Sequence, residues 1–199
     1  MERKFLLTDD EIERLTADAQ FFGVVVNVDT YFDTPTFDLT IKDIWLRQRG
    51  ERFEIKMPMH TKLDRIANQY DEIEDEMKIR EILNLSTAGK MADALASSGY
   101  VPFGSLKTTR KKYRKGDFTI DLDLADFGDW TYQIGEVELM VSDRSEIEWA
   151  LQKMSDFIQK HRLEEAPVRG KIIEFLKQKR PAHYRTLVEA GVVKSGECQ

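Results

Sequence analysis

Between Ile44 and Pro58 apolar and ionisable residues alternate on both sides of Gly50-Glu51, the pattern of a hairpin closed by a two-residue Gly-X turn. Closing that turn pairs Arg49 with Arg52, Arg47 with Glu54 and Trp45 with Lys56. Successive side chains point to opposite faces of a strand, so one face carries Trp45, Arg47, Arg49, Arg52, Glu54 and Lys56. The other carries Ile44, Leu46, Gln48, Phe53, Ile55 and Met57. A solvated face mixes signs, because like charges directly opposite one another are unfavourable. Four cations against one acid suggest instead that an anion holds this face together.

The same alternation recurs along the chain. Glu2 and Lys4 share one side of a short strand at 1–5, with Arg3 and Phe5 on the other. A strand over 24–34 sets Val24, Val26, Val28 and Phe32 against Asn27, Asp29, Tyr31 and Asp33. Residues 67–76 align Tyr70, Glu72, Glu74 and Glu76. A second hairpin, 107–114 and 117–124 about Lys115-Gly116, pairs Arg110 with Asp121 and puts Arg110, Lys112, Arg114, Thr119, Asp121 and Asp123 on one face. Over 131–141, Glu136, Glu138 and Met140 oppose Val137, Leu139 and Val141. Between the strands, Thr8 and Glu11 form a capping box. The helix it starts runs to Phe22 through Ile12, Leu15 and Ala19 and stops at Gly23. Residues 60–65 read as a polar loop, 77–98 as two short helices broken near Leu85-Ser86, and 147–158 and 172–176 as amphipathic helices, with a turn or two after Pro181.

These patterns predict an α+β chain, mainly antiparallel β, forming a single domain over 1–199. Helices covering the aliphatic faces from outside would turn the charged faces inward, which a closed barrel of about eight strands achieves. Its lumen would hold Lys4, Arg47, Arg49, Lys56 and Arg110 with Glu2, Glu72, Asp121, Asp123, Glu136 and Glu138. Desolvated charges need partners. Both signs at this density fit a phosphate chain with a divalent cation, and fit equally an internal salt-bridge network without a ligand. Net charge −6 and pI about 5.3 argue against attraction of the whole molecule to nucleic acid or anionic membrane. The sole cysteine, Cys198, forms no internal disulfide, and no secretory segment or 18-residue apolar run occurs. The expectation is a soluble, cytosolic monomer acting on a small molecule. His60, His161 and His183 lack ligand spacing and read as surface or packing residues.

Glu2-Arg-Lys4-Phe5, Tyr31-Phe-Asp-Thr-Pro35, Trp45-Leu-Arg47-Gln-Arg49, Glu54-Ile-Lys56, Asp121-Leu-Asp123 and Glu136-Val-Glu138 stand in the order of the motifs of the CYTH family, the triphosphate tunnel metalloenzymes, which the chain resembles. Within that family it is most similar to the thiamine triphosphatases, through the run Asp121–Gly128, Gly135–Glu138 and Lys171-Ile-Ile with Arg180-Pro-Ala-His-Tyr184. The resemblance implies Mg²⁺-dependent hydrolysis of thiamine triphosphate, with Mn²⁺ as an alternative ion. It implies substrate contacts at Lys4, Arg47, Arg49, Lys56, Arg110 and Lys171, and metal-side carboxylates at Glu2, Asp123, Glu136 and Glu138. Tyr31 and Lys56 match a pair thought to activate water, and Lys4 is counted with them as catalytic. A neighbouring cation favours a phenolate, which would act as base under alkaline conditions. Trp45 is placed to stack on the thiazolium ring. Glu72 aligns with an acid of the tunnel. The first glutamate of the family's Glu-x-Glu-x-Lys would precede Met1, so the motif stands as Glu2-x-Lys4. The expectation is either a start further upstream or a weakened metal site. Other readings are an inorganic tripolyphosphatase, a broad nucleoside triphosphatase or, further off, an adenylyl cyclase of the same fold, and a non-catalytic triphosphate or polyphosphate binder.

Overall fold

In chain order the elements are β1 (Glu2–Phe5), α1 (Asp9–Thr16), β2 (Gln20–Asp33), β3 (Trp45–Arg49), β4 (Arg52–Pro58), β5 (Tyr70–Ile73), α2 (Glu76–Ile82), α3 (Met91–Ser97), β6 (Val101–Lys115), β7 (Phe118–Asp126), β8 (Thr131–Leu139), α4 (Ile147–His161), α5 (Lys171–Lys179) and α6 (Pro181–Glu189). The computed structural model describes residues 1–59 and 70–193. The expected loop at 60–65, the start of the 67–76 segment and Cys198 lie outside the described residues.

The eight strands hydrogen-bond in the order β1-β8-β7-β6-β2-β3-β4-β5, and every pair whose register is described runs antiparallel. The expected α+β, mainly antiparallel class is therefore found. The order has two ends, so among the described residues the ladder is open and lacks the expected barrel closure. Its end strands, β1 and β5, have four residues each and offer few backbone groups for a closing pair. The chain groups into two compact units, one holding 1–26 and 108–171, the other 27–59, 70–107 and 172–193 among the described residues.

In the first unit the apolar faces of β1, β7 and β8 (Phe5, Phe118, Ile120, Val137, Leu139) are sealed by Leu15 of α1 and by Ala150, Met154, Phe157 and Ile158 of α4. The capping box forms: Thr8 Oγ1 accepts from the Glu11 amide at 3.3 Å, and Glu11 accepts from the Thr8 amide at 2.9 Å. Helix α1 nevertheless ends at Thr16 rather than Phe22. Lys115 Nζ donates to the carbonyls of Arg14 (3.2 Å), Leu15 (3.2 Å) and Ala17 (2.6 Å), satisfying groups that a longer helix would have bonded internally. Asp18, at φ 57°, then turns the chain into β2.

In the second unit Leu46, Phe53 and Ile55 of β3 and β4 pack under Ile79 of α2 and Met91, Ala94 and Leu95 of α3. The first hairpin has the register read from its turn, with Arg49 opposite Arg52, Arg47 opposite Glu54 and Trp45 opposite Lys56. Buried Asp33, at the end of β2, accepts from the amides of Thr34 (2.8 Å), Leu39 (3.0 Å) and Thr40 (2.9 Å) and from the Thr40 hydroxyl (2.7 Å). It thereby folds the segment after Pro35 into a turn that feeds β3. His183 of α6 joins the same network and is a packing residue, as is buried His161. Phe22, Val24, Val26 and Val28 are exposed rather than covered by helices. The Pro181 segment makes a nine-residue helix instead of a turn or two, with the proline at its start.

Candidate active site

Each unit carries an ionic sheet face. In the second, three cross-strand rows follow from register: Asp29–Arg49–Arg52, Tyr31–Arg47–Glu54 and Trp45–Lys56–Glu72. Arg49 grips Asp29 with both arms, Nε to Oδ1 at 2.6 Å and Nη2 to Oδ2 at 2.8 Å. Arg47 Nε donates to Glu54 at 2.7 Å, with Asp29 3.9 Å from its Nη1. Lys56 donates to Glu72 at 2.6 Å. The hairpin's excess of cations is thus met by Asp29 of β2 and Glu72 of β5, one strand away on either side. Burial alone would lower the Arg47 guanidinium, but Tyr31, Asp29 and Glu54 outweigh it and raise it above its ordinary value. Burial would raise Glu72, but Lys56, Arg47 and Arg49 hold it below the usual carboxylate value.

Tyr31 is buried, and the cation directly opposite it in the ladder is Arg47, not Lys56. Lys56 stands opposite Trp45, with β3 between it and β2. Trp45 lies on the cationic face as expected but is only 7% exposed. Its Nε1 donates to Asp43 Oδ1 at 2.9 Å, and the Tyr70 hydroxyl donates to the same oxygen at 3.0 Å.

On the first unit's face, Lys4 sits opposite Glu136, which sits opposite Asp121, while Glu2 and Thr119 flank Glu138. The second hairpin turns on Gly116-Asp117, one residue later than read. Arg110 accordingly takes Asp123 in a bidentate grip (Nε–Oδ1 2.7 Å, Nη2–Oδ2 2.6 Å), reaches Glu136 at 2.6 Å and still donates to Asp121. Lys171, the first residue of α5, bridges Asp123 and Glu136, the latter at 2.7 Å. Lys4 is ion-paired with Glu2. Burial would push the Glu136 carboxyl up, yet Lys171, Lys4 and Arg110 hold it well below the ordinary range. Lys171 is raised by Glu136 and Asp123 against a burial penalty of opposite sign. Asp121 goes the other way: burial raises it, and Arg110 and Lys112 compensate only in part.

The seven first-unit residues expected at a site (Glu2, Lys4, Arg110, Asp123, Glu136, Glu138, Lys171) share one face or touch it, and the five second-unit ones (Tyr31, Trp45, Arg47, Arg49, Lys56) share another. Sequence reasoning placed Asp121 in the lumen without a role and did not single out Asp29, Glu54 or Asp43 as site residues. Glu54 was legible opposite a named cation and Asp29 as a member of an alternating face. Asp43 carried no pattern at all.

The carboxylates fit a hard divalent cation by chemistry, since Mg²⁺ and Mn²⁺ take oxygen donors. Asp121 Oδ1 is buried with no hydrogen-bond partner among the described residues, so unmet acceptor capacity lies in this cluster. Among the described residues no three such donors are already drawn together as a metal shell, because Asp123 and Glu136 are turned onto Arg110 and Lys171. Mg²⁺ retains several waters and needs few protein ligands, which this set can supply.

An antiparallel sheet with apolar faces under helices and ionic faces of interlocked cations and carboxylates defines the class of the protein. The chain matches the CYTH domain over residues 1–168 and belongs to the CYTH family. Human thiamine-triphosphatase is 30% identical over 212 residues, spanning 95% of this chain and 89% of that protein. Among solved structures, the PH1819 protein of Pyrococcus horikoshii superposes with a TM-score of 0.62 at 20% identity, covering 89% of this chain and 98% of its own. A putative adenylyl cyclase from Hippeastrum with a dominant triphosphatase activity gives 0.54 at 17% identity, covering 89% and 95%.

Proposed function

We propose that the chain hydrolyses thiamine triphosphate to thiamine diphosphate and phosphate, acting as one functional domain and depending on Mg²⁺ or Mn²⁺. Family membership and the identity to human thiamine-triphosphatase support triphosphatase chemistry. The observation that carries it is the pair of half-buried arginines, Arg47 and Arg110, each bonded to carboxylates of its own face. Guanidinium forks match phosphoryl oxygens as well as carboxylates. In this reading Arg47, Arg49, Lys56, Lys4, Arg110 and Lys171 bind the phosphates, and Trp45 meets the thiazolium ring. Glu2, Asp123, Glu136 and Glu138 hold the ion, which when bound draws charge from the phosphoryl oxygens. Tyr31, opposite Arg47, accepts a proton from the attacking water, with Lys56 on the same face. The water oxygen bonds to the terminal phosphorus as the bond to the bridging oxygen breaks.

A second reading, inorganic tripolyphosphate as substrate, is favoured by the burial of Trp45, which offers an organic ring little surface. Phosphate release from thiamine triphosphate, tripolyphosphate and ATP, each titrated with Mg²⁺ and Mn²⁺, decides between them. The highest kcat/KM is expected for thiamine triphosphate. A higher value for tripolyphosphate selects the second reading, and binding without turnover overturns both.

A further inference from the structure

Asp43 follows the 3-10 turn Thr40–Lys42 and precedes β3, at φ 61°, a region that Gly, Asn and Asp enter more readily than other residues. Its side chain is buried, and its Oδ1 receives the Trp45 indole N–H at 2.9 Å and the Tyr70 hydroxyl at 3.0 Å. Trp45 is on β3 and Tyr70 on β5, with β4 between them. One carboxylate oxygen therefore ties together the polar ends of two aromatic side chains from strands that do not pair. Hydrogen bonds to an ionised acceptor are the stronger and more directional kind. With its body 7% exposed and its single polar atom anchored, the indole cannot be re-aimed when a ligand arrives, so its orientation is fixed beforehand.

We infer that Asp43 is a positioning residue that holds Trp45 and Tyr70 as one aromatic corner beside Lys56, and thereby sets the preference for a triphosphate ending in a flat cationic ring over bare tripolyphosphate. The inference rests on the thiamine triphosphate reading above. The two bonds assign Asp43 an orienting role. Asp43→Asn keeps an acceptor oxygen and suits the backbone at this φ, while Asp43→Gly removes both bonds without backbone strain. A residue that merely stabilised the fold would affect the two ligands alike.

Calorimetric affinities of wild type, D43N and D43G for thiamine triphosphate and for inorganic tripolyphosphate, with Ca²⁺ in place of Mg²⁺ to suppress turnover, test this. D43G is expected to weaken thiamine triphosphate roughly tenfold and tripolyphosphate less than about twofold, with D43N within about threefold of wild type for both. Equal losses for both ligands in D43G, no loss for either, or a loss in D43N matching that in D43G each overturn it. A wild type that shows the binding difference but no turnover with Mg²⁺ refutes the hydrolase reading and leaves the role of Asp43 standing.

Discussion

Acidification tests His183. The side chain is 3% exposed, stacks on Phe37 with ring centroids 3.8 Å apart and meets Phe103 edge-on at 4.9 Å. The Thr40 hydroxyl donates to Asp33, which leaves its oxygen to accept from the Nε2–H of a neutral imidazole 2.7 Å away. Burial lowers the imidazole from its ordinary 6.5 to about 4, with Asp33 opposing and Arg180 reinforcing the shift. Between those values the unfolded chain takes up a proton that the folded chain refuses. Stability from this residue is thus complete above about pH 6.5, falls as pH drops, and levels off near pH 4. At about 1.4 kcal/mol per pH unit the loss is about 3 kcal/mol. His183→Gln keeps a donor for Thr40 but does not titrate. Urea denaturation of wild type and variant from about pH 7.5 down to pH 4 removes, by difference, the carboxylate contributions common to both. The variant is expected to start less stable, having lost its ring contacts, and the gap to close by about 3 kcal/mol across the window. A gap that stays constant with pH would refute the claim that the folded state holds this imidazole neutral.

Arg110→Met leaves Asp121, Asp123 and Glu136 buried with Lys171 as their main counter-charge, and should cost about 3–5 kcal/mol in urea denaturation; a loss below about 1 kcal/mol would contradict the interlocked cluster. Lys115→Met uncaps the end of α1 and should lower stability by about 1 kcal/mol, read as a lower Tm; an unchanged Tm would show those carbonyls satisfied otherwise. Asp29→Asn loosens the bidentate hold on Arg49 and should reduce kcat/KM about tenfold for thiamine triphosphate and tripolyphosphate alike; a change confined to one substrate would separate Arg49 from the phosphate chain.

The Arg47–Glu54 and Trp45–Lys56 pairs were legible because a two-residue turn at Gly50, φ 60°, leaves a single register. The second hairpin shows the limit of that reasoning. A choice between Lys115-Gly116 and Gly116-Asp117 moves the residue opposite Arg110, and Arg110 is long enough to bond both Asp121 and Asp123. The end of α1 was not legible. Ala19 and Phe22 continue the helical spacing of Ile12 and Leu15, and the signal that stops it is a lysine about a hundred residues away in sequence. Asp43 was hidden for a related reason, since Tyr70 of β5 reaches it only after β3, β4 and β5 have paired. Side-chain ties across the chain have no periodicity to read.

The reciprocal pairing of Arg49 with Asp29 and of Arg110 with Asp123 and Glu136 means that an incoming anion must substitute for a carboxylate rather than fill a vacancy. A chloride or a lone phosphate offers too little in such an exchange. A chain of several linked phosphates repeats the offer at each position while surrendering its freedom of motion only once. If these faces take phosphates as proposed, tolerance of the common small anions would follow from the ion pairs of each face, before any particular substrate is considered.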